Sequence, residues 1–409
     1  MRSNPKTLST LLLTCALLLS PFASVWGEGD PAGETPYRVP TPAFHIVSDA
    51  PPDLPTPEPT PEPTPIPTAL LGEETPTPDS PSSSRRKASR PVTLAFVGDI
   101  LMGGSAKRKL LNEGPDSFFV NVRDALAQAD LCVGNLEGPL GESGKVYVKK
   151  TYTFLTPSIA AQGLRNAGFR VLTLANNHML DFGPEALRST LATLDDLRLQ
   201  HTGAGEDDLA ARRPAVVEVA GRRVAVLAYS LTYPSEFWAR PGRPGCAQGS
   251  WENIRADVSS ARQEGADLVV VCIHWGAESK TTLRGYQPSV AKMALEAGAD
   301  AVIGHHPHIW QGLGVIGGKP VAYSLGNFVF GTYSAKVTRS GILYLTFDEE
   351  NKWSGGYVLP LNVHNAVVQF SPRPLGGVEG KKFADHLTGL SKKEGASLRW
   401  DGSLLRWDP

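Results

Sequence analysis

The stretch Ala299–Gly312, ADAVIGHHPHIWQG, gathers three of the chain's nine histidines into four positions at the end of an apolar run. The run itself reads as a strand buried on both faces, and such a strand has no use for clustered imidazoles at its exit. The same pattern recurs in VTLAFVGD, DLCVGNLE, RVLTLANNH, RRVAVLAYS, DLVVVCIHWG and PVAYSLGNF, each a strand running into a polar loop. Between them lie DSFFVNVRDALAQA, SIAAQGLRNAG, PEALRSTLATLDDLR, ENIRADVSSARQEG and PSVAKMALEAG, whose spacing is helical and which often end at glycine. Strand–helix alternation of this kind predicts an α/β domain with a largely parallel central sheet. The tail GILYLTFDEENKWSGGYVLPLNVHNAVVQF predicts antiparallel strands that extend or face that sheet, and KKFADHLTGLSKKEG a surface helix.

Before Val92 the chain has a different character. Residues 1–27 carry Arg2 and Lys6, then an apolar run from Leu8 to Leu19, then small residues, the layout of a secretory signal or an uncleaved membrane anchor. Ala23 and Gly27 are the candidate cleavage positions, and Thr14 before Cys15 argues against a lipoprotein site. Sixteen of the 34 prolines fall between Pro31 and Pro81, so residues 28–91 favour extended polyproline II, cannot pack a core, and read as a disordered Pro/Thr-rich linker. A spacer after a signal implies an extracytoplasmic domain, residues 92–409, secreted or held away from a membrane or wall. The formal net charge of −1 gives no reason to expect nucleic acid or an anionic membrane as partner. Cys132, Cys246 and Cys272 form no disulfide framework; two sit in apolar strand-like runs and are expected in the core, the third as a loop thiol.

Function is read from the strand ends. Asp99 ends the first strand, Asn135 and Glu137 the second, and Asn176, Asn177 and His178 the third, with Asp181 three residues on. His274 ends the fifth, His306 and His308 the sixth and Asn327 the seventh. Carboxyl ends of parallel strands line one crevice, the usual ligand position. Carboxylate, amide oxygen and imidazole without cysteine suit Mn, Fe, Zn or Mg rather than a structural zinc site. Adjacent His305 and His306 point to opposite faces of extended chain, so His305 is expected to point elsewhere while His306 and His308 share a face. The loop GESGKVYVKKTYTF offers Lys145, Lys149 and Lys150 with Tyr147 and Tyr152, either as an ordinary solvated surface or as a holder of carboxylates or phosphates.

FVGDILMGG, VGNLEGPL, LANNHMLDFG, IHWGAE, IGHHPHIWQG and YSLGNFVFG stand in the order seen in CapA-type proteins of poly-γ-glutamate capsule synthesis, and the chain resembles that family from about Val92 to Asn365. That family is similar to the calcineurin-like metallophosphoesterases. The resemblance implies a four-layer α/β/β/α metallophosphatase-like sandwich, and it implies metal ligation by Asp99, Asn135, Glu137, Asn177, His274, His306 and His308. His178 matches the histidine that stabilises a leaving group, the one catalytic residue carried over. Asn176, Asp181, Glu278 and Asn327 fall to supporting or substrate-contacting positions, with Lys145, Lys149 and Lys150 beside them. The pattern departs at Leu101, where a histidine is usual, and at Asn-Leu-Glu, where Gly-Asp is usual. Two readings follow. One is a metal-dependent phosphoesterase-like hydrolase of capsule or poly-γ-glutamate synthesis or export. The other is a non-catalytic surface protein that binds an anionic cell-envelope polymer. Expected partners are such a polymer, poly-γ-glutamate or a phosphate-containing envelope substrate, and membrane-bound capsule synthesis proteins, with no nucleic acid.

Overall fold

The computed structural model describes residues 88–409. The signal-like segment and nearly all of the proline-rich linker lie outside the described residues. β1 (Val92–Leu101), β2 (Leu131–Leu136), β3 (Phe169–Thr173) and β4 (Gln200–Thr202) run parallel and adjacent at one side of a ten-stranded sheet. Antiparallel strands of the tail, Arg339–Phe347 and Trp353–Asn362 among them, extend it beyond β1. A second, six-stranded sheet runs in the order 313–316, 319–322, 301–305, 268–274, 222–230 and 215–219, parallel through its middle and antiparallel at both edges.

Side-chain alternation separates the layers. Leu94 and Phe96 of β1 join Val226, Val270, Cys272 and Ile303 in a core between the two sheets. Ala95 and Val97, on the other face of β1, pack under Leu164 and Leu187 of the helices Ala160–Asn166 and Gly183–Asp196. Leu227, Val269 and Val271 pack under Ile254, Val258, Val290 and Ala294 of the helices Trp251–Gln263 and Tyr286–Glu296. The result is the four-layer α/β/β/α sandwich. The Trp251–Gln263 helix starts where it does because Ser250 accepts from the Asn253 amide at 3.1 Å, satisfying one orphan donor of the first turn.

Several elements differ from the sequence reading. DSFFVNVRDALAQA is broken into a 3₁₀ turn at Pro115–Phe118 and a short helix at Arg123–Leu126. Phe118, Phe119 and Val122 are all fully buried, and one helical stripe cannot bury two adjacent rings. The terminal Gly377–Ser391 helix is more than a surface helix: Phe383, Ala384 and Leu387 close the inter-sheet core, with Phe383 perpendicular to the Trp310 ring at 5.6 Å. Cys246 is buried rather than a loop thiol, in a two-residue strand paired with Ala204–Gly205; Cys132 and Cys272 are buried as expected, and all three are unpaired.

The largest difference is PVAYSLGNF. It forms two strands in different sheets, Lys319–Ala322 in the six-stranded sheet and Asn327–Phe330 in the ten-stranded one, so the chain crosses between layers at 323–326. Two glycines grip this crossing. A Cβ on Gly98 would sit 1.8 Å from the Gly326 carbonyl oxygen, and one on Gly304 2.0 Å from that of Tyr323. Register slips in β1 between Phe96 and Asp99, so a bulge at Val97–Gly98 re-aims the residue that follows. That residue is Asp99. Among the described residues no helix is long and apolar enough to cross a membrane.

Candidate metal centre

The carboxyl ends of β1, β2 and β3 meet those of the Leu268–His274 and Ala301–His305 strands, so one crevice receives donors from both sheets. Asp99 is fully buried at its floor. Its Oδ1 accepts from Asn135 Nδ2 at 2.9 Å, and its Oδ2 accepts from the His306 amide at 3.4 Å. His305 Nδ1 and His308 Nδ1 each lie 3.2 Å from an Asp99 oxygen. Glu137 stands opposite, 3.6 Å from His308 Nε2 and 3.9 Å from His178 Nε2. His274 Nε2 is held 3.0 Å from Asn177 Oδ1, and its ring lies 4.8 Å from that of His306.

Two donor groups emerge, each with ligand atoms within 4.8 Å of one another: Asp99, Glu137 and His274, and Glu278, His306 and His308. Of the nine buried side-chain polar atoms without a hydrogen-bond partner among the described residues, five are here: both Glu137 oxygens and Nδ1 of His274, His305 and His306. Each orphaned group costs about 1–3 kcal/mol, and native proteins retain few without a purpose. A divalent cation is the partner that satisfies carboxylates and imidazoles together, so the residues fit one.

The electrostatics agree. Burial raises the Glu137 carboxyl well above its ordinary range, with Asp99 and Glu278 adding to the rise against His308. Burial also disfavours the Asp99 charge, but His305 and His308 outweigh it and hold its carboxyl well below the usual value. For His308 burial acts downward, while Glu137 and Asp99 prevail and push it up to about 10. Burial takes His306 down to about 4 and His274 well below the imidazole range. The crowded carboxylates thus raise one imidazole, while burial lowers the two beside it.

His178 sits at the edge, 5 % exposed, its ring 4.7 Å from that of Phe154. Asp181 Oδ2 lies 2.7 Å from its Nδ1, while Asp181 Oδ1 accepts from Lys150 Nζ at 2.6 Å. Lys150 Nζ also lies 3.1 Å from that Nδ1, so Asp181 and Lys150 together hold this side of the ring while Nε2 faces Glu137. Burial lowers the His178 pKa, with Asp181 opposing.

Placement of the expected residues is uneven. Asp99, Glu137, Asn177, His178, His274, His306 and His308 converge. Asn135 sits beneath them: its Oδ1 accepts from Thr173 at 3.2 Å and Asn176 at 3.4 Å, and its amide orients Asp99. Asn176 braces the third loop through the Leu136 carbonyl at 2.9 Å and the His178 amide at 3.1 Å. Asn327 begins a strand rather than ending one, and its Oδ1 accepts from His308 Nδ1 at 2.9 Å. Glu278 is exposed but belongs with the donors rather than behind them. Lys150 reaches the centre, donating also to the Asn177 carbonyl, whereas Lys145 and Lys149 are exposed on the loop. The reading missed His305, which is 3 % exposed beside Asp99 and does not point away. His306 and His308 adopt φ of 95° and 60°, so the strand alternation on which that expectation rested ends at His305.

Comparison with known proteins agrees with the motif order. The chain is 32% identical over 297 residues to the capsule biosynthesis protein CapA of Bacillus anthracis, covering 71% of each chain. It is 31% identical to the PGA biosynthesis protein CapA of Bacillus subtilis (strain 168), covering 67% of this chain and 72% of that one. Among solved structures, a putative 5'-nucleotidase from Staphylococcus aureus aligns with a TM-score of 0.41 at 16% identity, over 73% of this chain and 58% of that one. The family model described as bacterial capsule synthesis protein PGA_cap matches residues 93–332. With both sheets' ends of the crevice inside that match, this chain belongs to the bacterial capsule synthesis protein family.

Proposed function

We propose that this protein acts outside the cytoplasm in the synthesis or export of an anionic capsule polymer of the poly-γ-glutamate kind, through a divalent-metal hydrolase-type site. The relatives' names supply the polymer, and the signal-like residues 1–27 supply the location. The observation that carries the site is the set of four orphaned buried atoms on Glu137, His274 and His306, all members of the two donor groups. Asp99, Glu137, Asn177, His274, His306, His308 and Glu278 would hold the cation, as one ion or two. When bound, it supplies a Lewis acid and a nucleophile competent at neutral pH.

The chain's own groups do the rest. Asp181 and Lys150 orient the His178 ring, and burial lowers its pKa, so the neutral ring takes a proton from the entering nucleophile and returns it to the departing atom. The return of the proton is the part that corresponds to the role implied by the resemblance, stabilising a leaving group. Lys150 adds a positive charge beside the reacting position, held by Asp181 and 5.1 Å from the centre of the Phe237 ring. Phe154 and Phe330 wall the crevice next to His178 and His308 and exclude water from that side.

Elemental analysis of the purified protein, stripped and resupplied with Mn, Fe, Zn or Mg, tests this together with turnover of a generic phosphodiester and of poly-γ-glutamate. Bound metal with turnover is expected. Metal without turnover on either would favour the polymer-binding reading, to which Lys150 and the exposed Lys145 and Lys149 lend support. No metal under any supplement would reject both donor groups as a cation site.

A further inference from the structure

Three residues beyond Phe330, whose ring lies 4.7 Å from that of His308, the chain enters a second concavity of about 330 Å³. That volume lies in the range of small-ligand pockets. The link to the centre is covalent on both sides. Asp99 leads through β1 to Ser105, whose amide donates to the Gly331 carbonyl at 2.8 Å, and Ser105 and Tyr333 both line the concavity.

Its lining is rich in donors. Arg108, Lys109, Asn112 and Gln369 join Ser105 and Tyr333, against the one carboxylate of Glu113. Glu113 is already taken by Lys109 Nζ at 2.6 Å. The Arg108 guanidinium is exposed and makes no hydrogen bond or ion pair among the described residues, which leaves one uncompensated positive charge. Opposite it the backbone is unusual. Gln369 and Phe370 are successive non-glycine residues at φ 50° and 61°. Such conformations cost on the order of 1–3 kcal/mol and collect at ligand clamps. Asn365 steadies this turn by donating to the Phe330 and Thr332 carbonyls at 2.7 Å, so turn and centre share the Phe330 segment.

An unpaired guanidinium takes a carboxylate, and neighbouring side-chain amides take an amide. Both groups recur in every unit of a polyamide that carries free carboxylates. We propose that this concavity is a subsite for one carboxylate-bearing unit of such a chain while another unit lies at the metal centre. The proposal rests on the functional reading above, which supplies the polymer, and adds where it is gripped.

The test is binding of fluorescently labelled γ-linked glutamate oligomers of increasing length to the full chain, its Arg108→Ala and Arg108→Lys variants, and His306→Ala. Affinity of the wild type should rise with length, and Arg108→Ala should lower it about tenfold for long oligomers, the loss of one charge-assisted contact. Arg108→Lys should recover part of that loss, and metal content should match the wild type in both. Arg108 is exposed, so folding is not at risk. Wild-type affinity in Arg108→Ala at every length, while His306→Ala or the wild type shows that the oligomers do bind, would overturn the subsite alone. Failure of the wild type to bind any oligomer would overturn the polymer reading and the subsite with it.

Discussion

Substituting His305 separates a residue that binds a cation from one that holds another in place. His305 belongs to neither donor group, yet its Nδ1 lies 3.2 Å from Asp99. Groups that orient a ligand typically change metal affinity about 10–100-fold when removed. His305→Ala is therefore expected to weaken metal binding by about tenfold, while His274→Ala, His306→Ala and His308→Ala should each remove stoichiometric metal. Titration with Mn(II) followed by electron paramagnetic resonance would show it, and equal retention in all four variants would sink the assignment. At this scale the sequence was informative where strand ends alone placed a residue, as for Asp99 and His274. It was silent where placement needed a torsion or a distant loop. No period reveals that His306 turns to φ 95°, or that Lys150 comes back across 31 residues to Asp181.

Among the elements, the crossing at 323–326 is the part most exposed to a single methyl group. The Asp99 amide donates to the Gly326 carbonyl at 2.9 Å, and that oxygen lies 1.8 Å from the place a Gly98 Cβ would take. Backbone on both sides cannot give as a flexible side chain would. Gly98→Ala is expected to cost about 3 kcal/mol or more, read as a lowered urea midpoint, and to shift Asp99 enough to reduce metal retention. A near-neutral effect would mean that the bulge in β1 absorbs the added atom. The strands themselves were readable from their apolar runs, but PVAYSLGNF shows the limit of that reading. Its composition is uniformly strand-like, and only the three-dimensional demand that it pair with both β1 and the Ala301–His305 strand cuts it in two.

For the whole molecule the question is where the fold begins. Composition put the boundary at Val92, yet the Ala88 amide donates to the Glu349 carbonyl at 3.0 Å and Arg90 pairs with Asp130 at 2.5 Å. Arg222, 1 % exposed, donates to the Arg90 carbonyl at 2.7 Å as well as to Asn351 and Asp348. A fragment starting at Val92 loses that acceptor and should be less stable than one starting at Ala88 by about 1–3 kcal/mol. Equal urea midpoints would return the boundary to Val92. Acid should act on the same corner. Burial raises the Asp130 pKa, but Arg90 and the Thr93 amide outweigh it and hold the carboxyl below its usual range. Its stabilising contribution is therefore complete above the unfolded-state value, near pH 4, and is lost as pH falls through the folded-state value. The stability gap between wild type and Asp130→Asn should be open near about pH 6 and should narrow as pH falls below about 4.

Because Asp99, Glu137 and Asn177 come from one sheet and His274, His306 and His308 from the other or from its exit, the centre is a seam. Anything bound across a seam prefers the assembled molecule to its separated halves, so a cation held there would make its free concentration a variable of the folding equilibrium. A hundredfold excess over the dissociation constant is worth about 2.7 kcal/mol. The melting temperature should climb with the logarithm of free metal and fall in chelator, and it should be nearly flat in His306→Ala. Supply of the ion would then set how long the protein survives in its compartment, quite apart from any bond it breaks there.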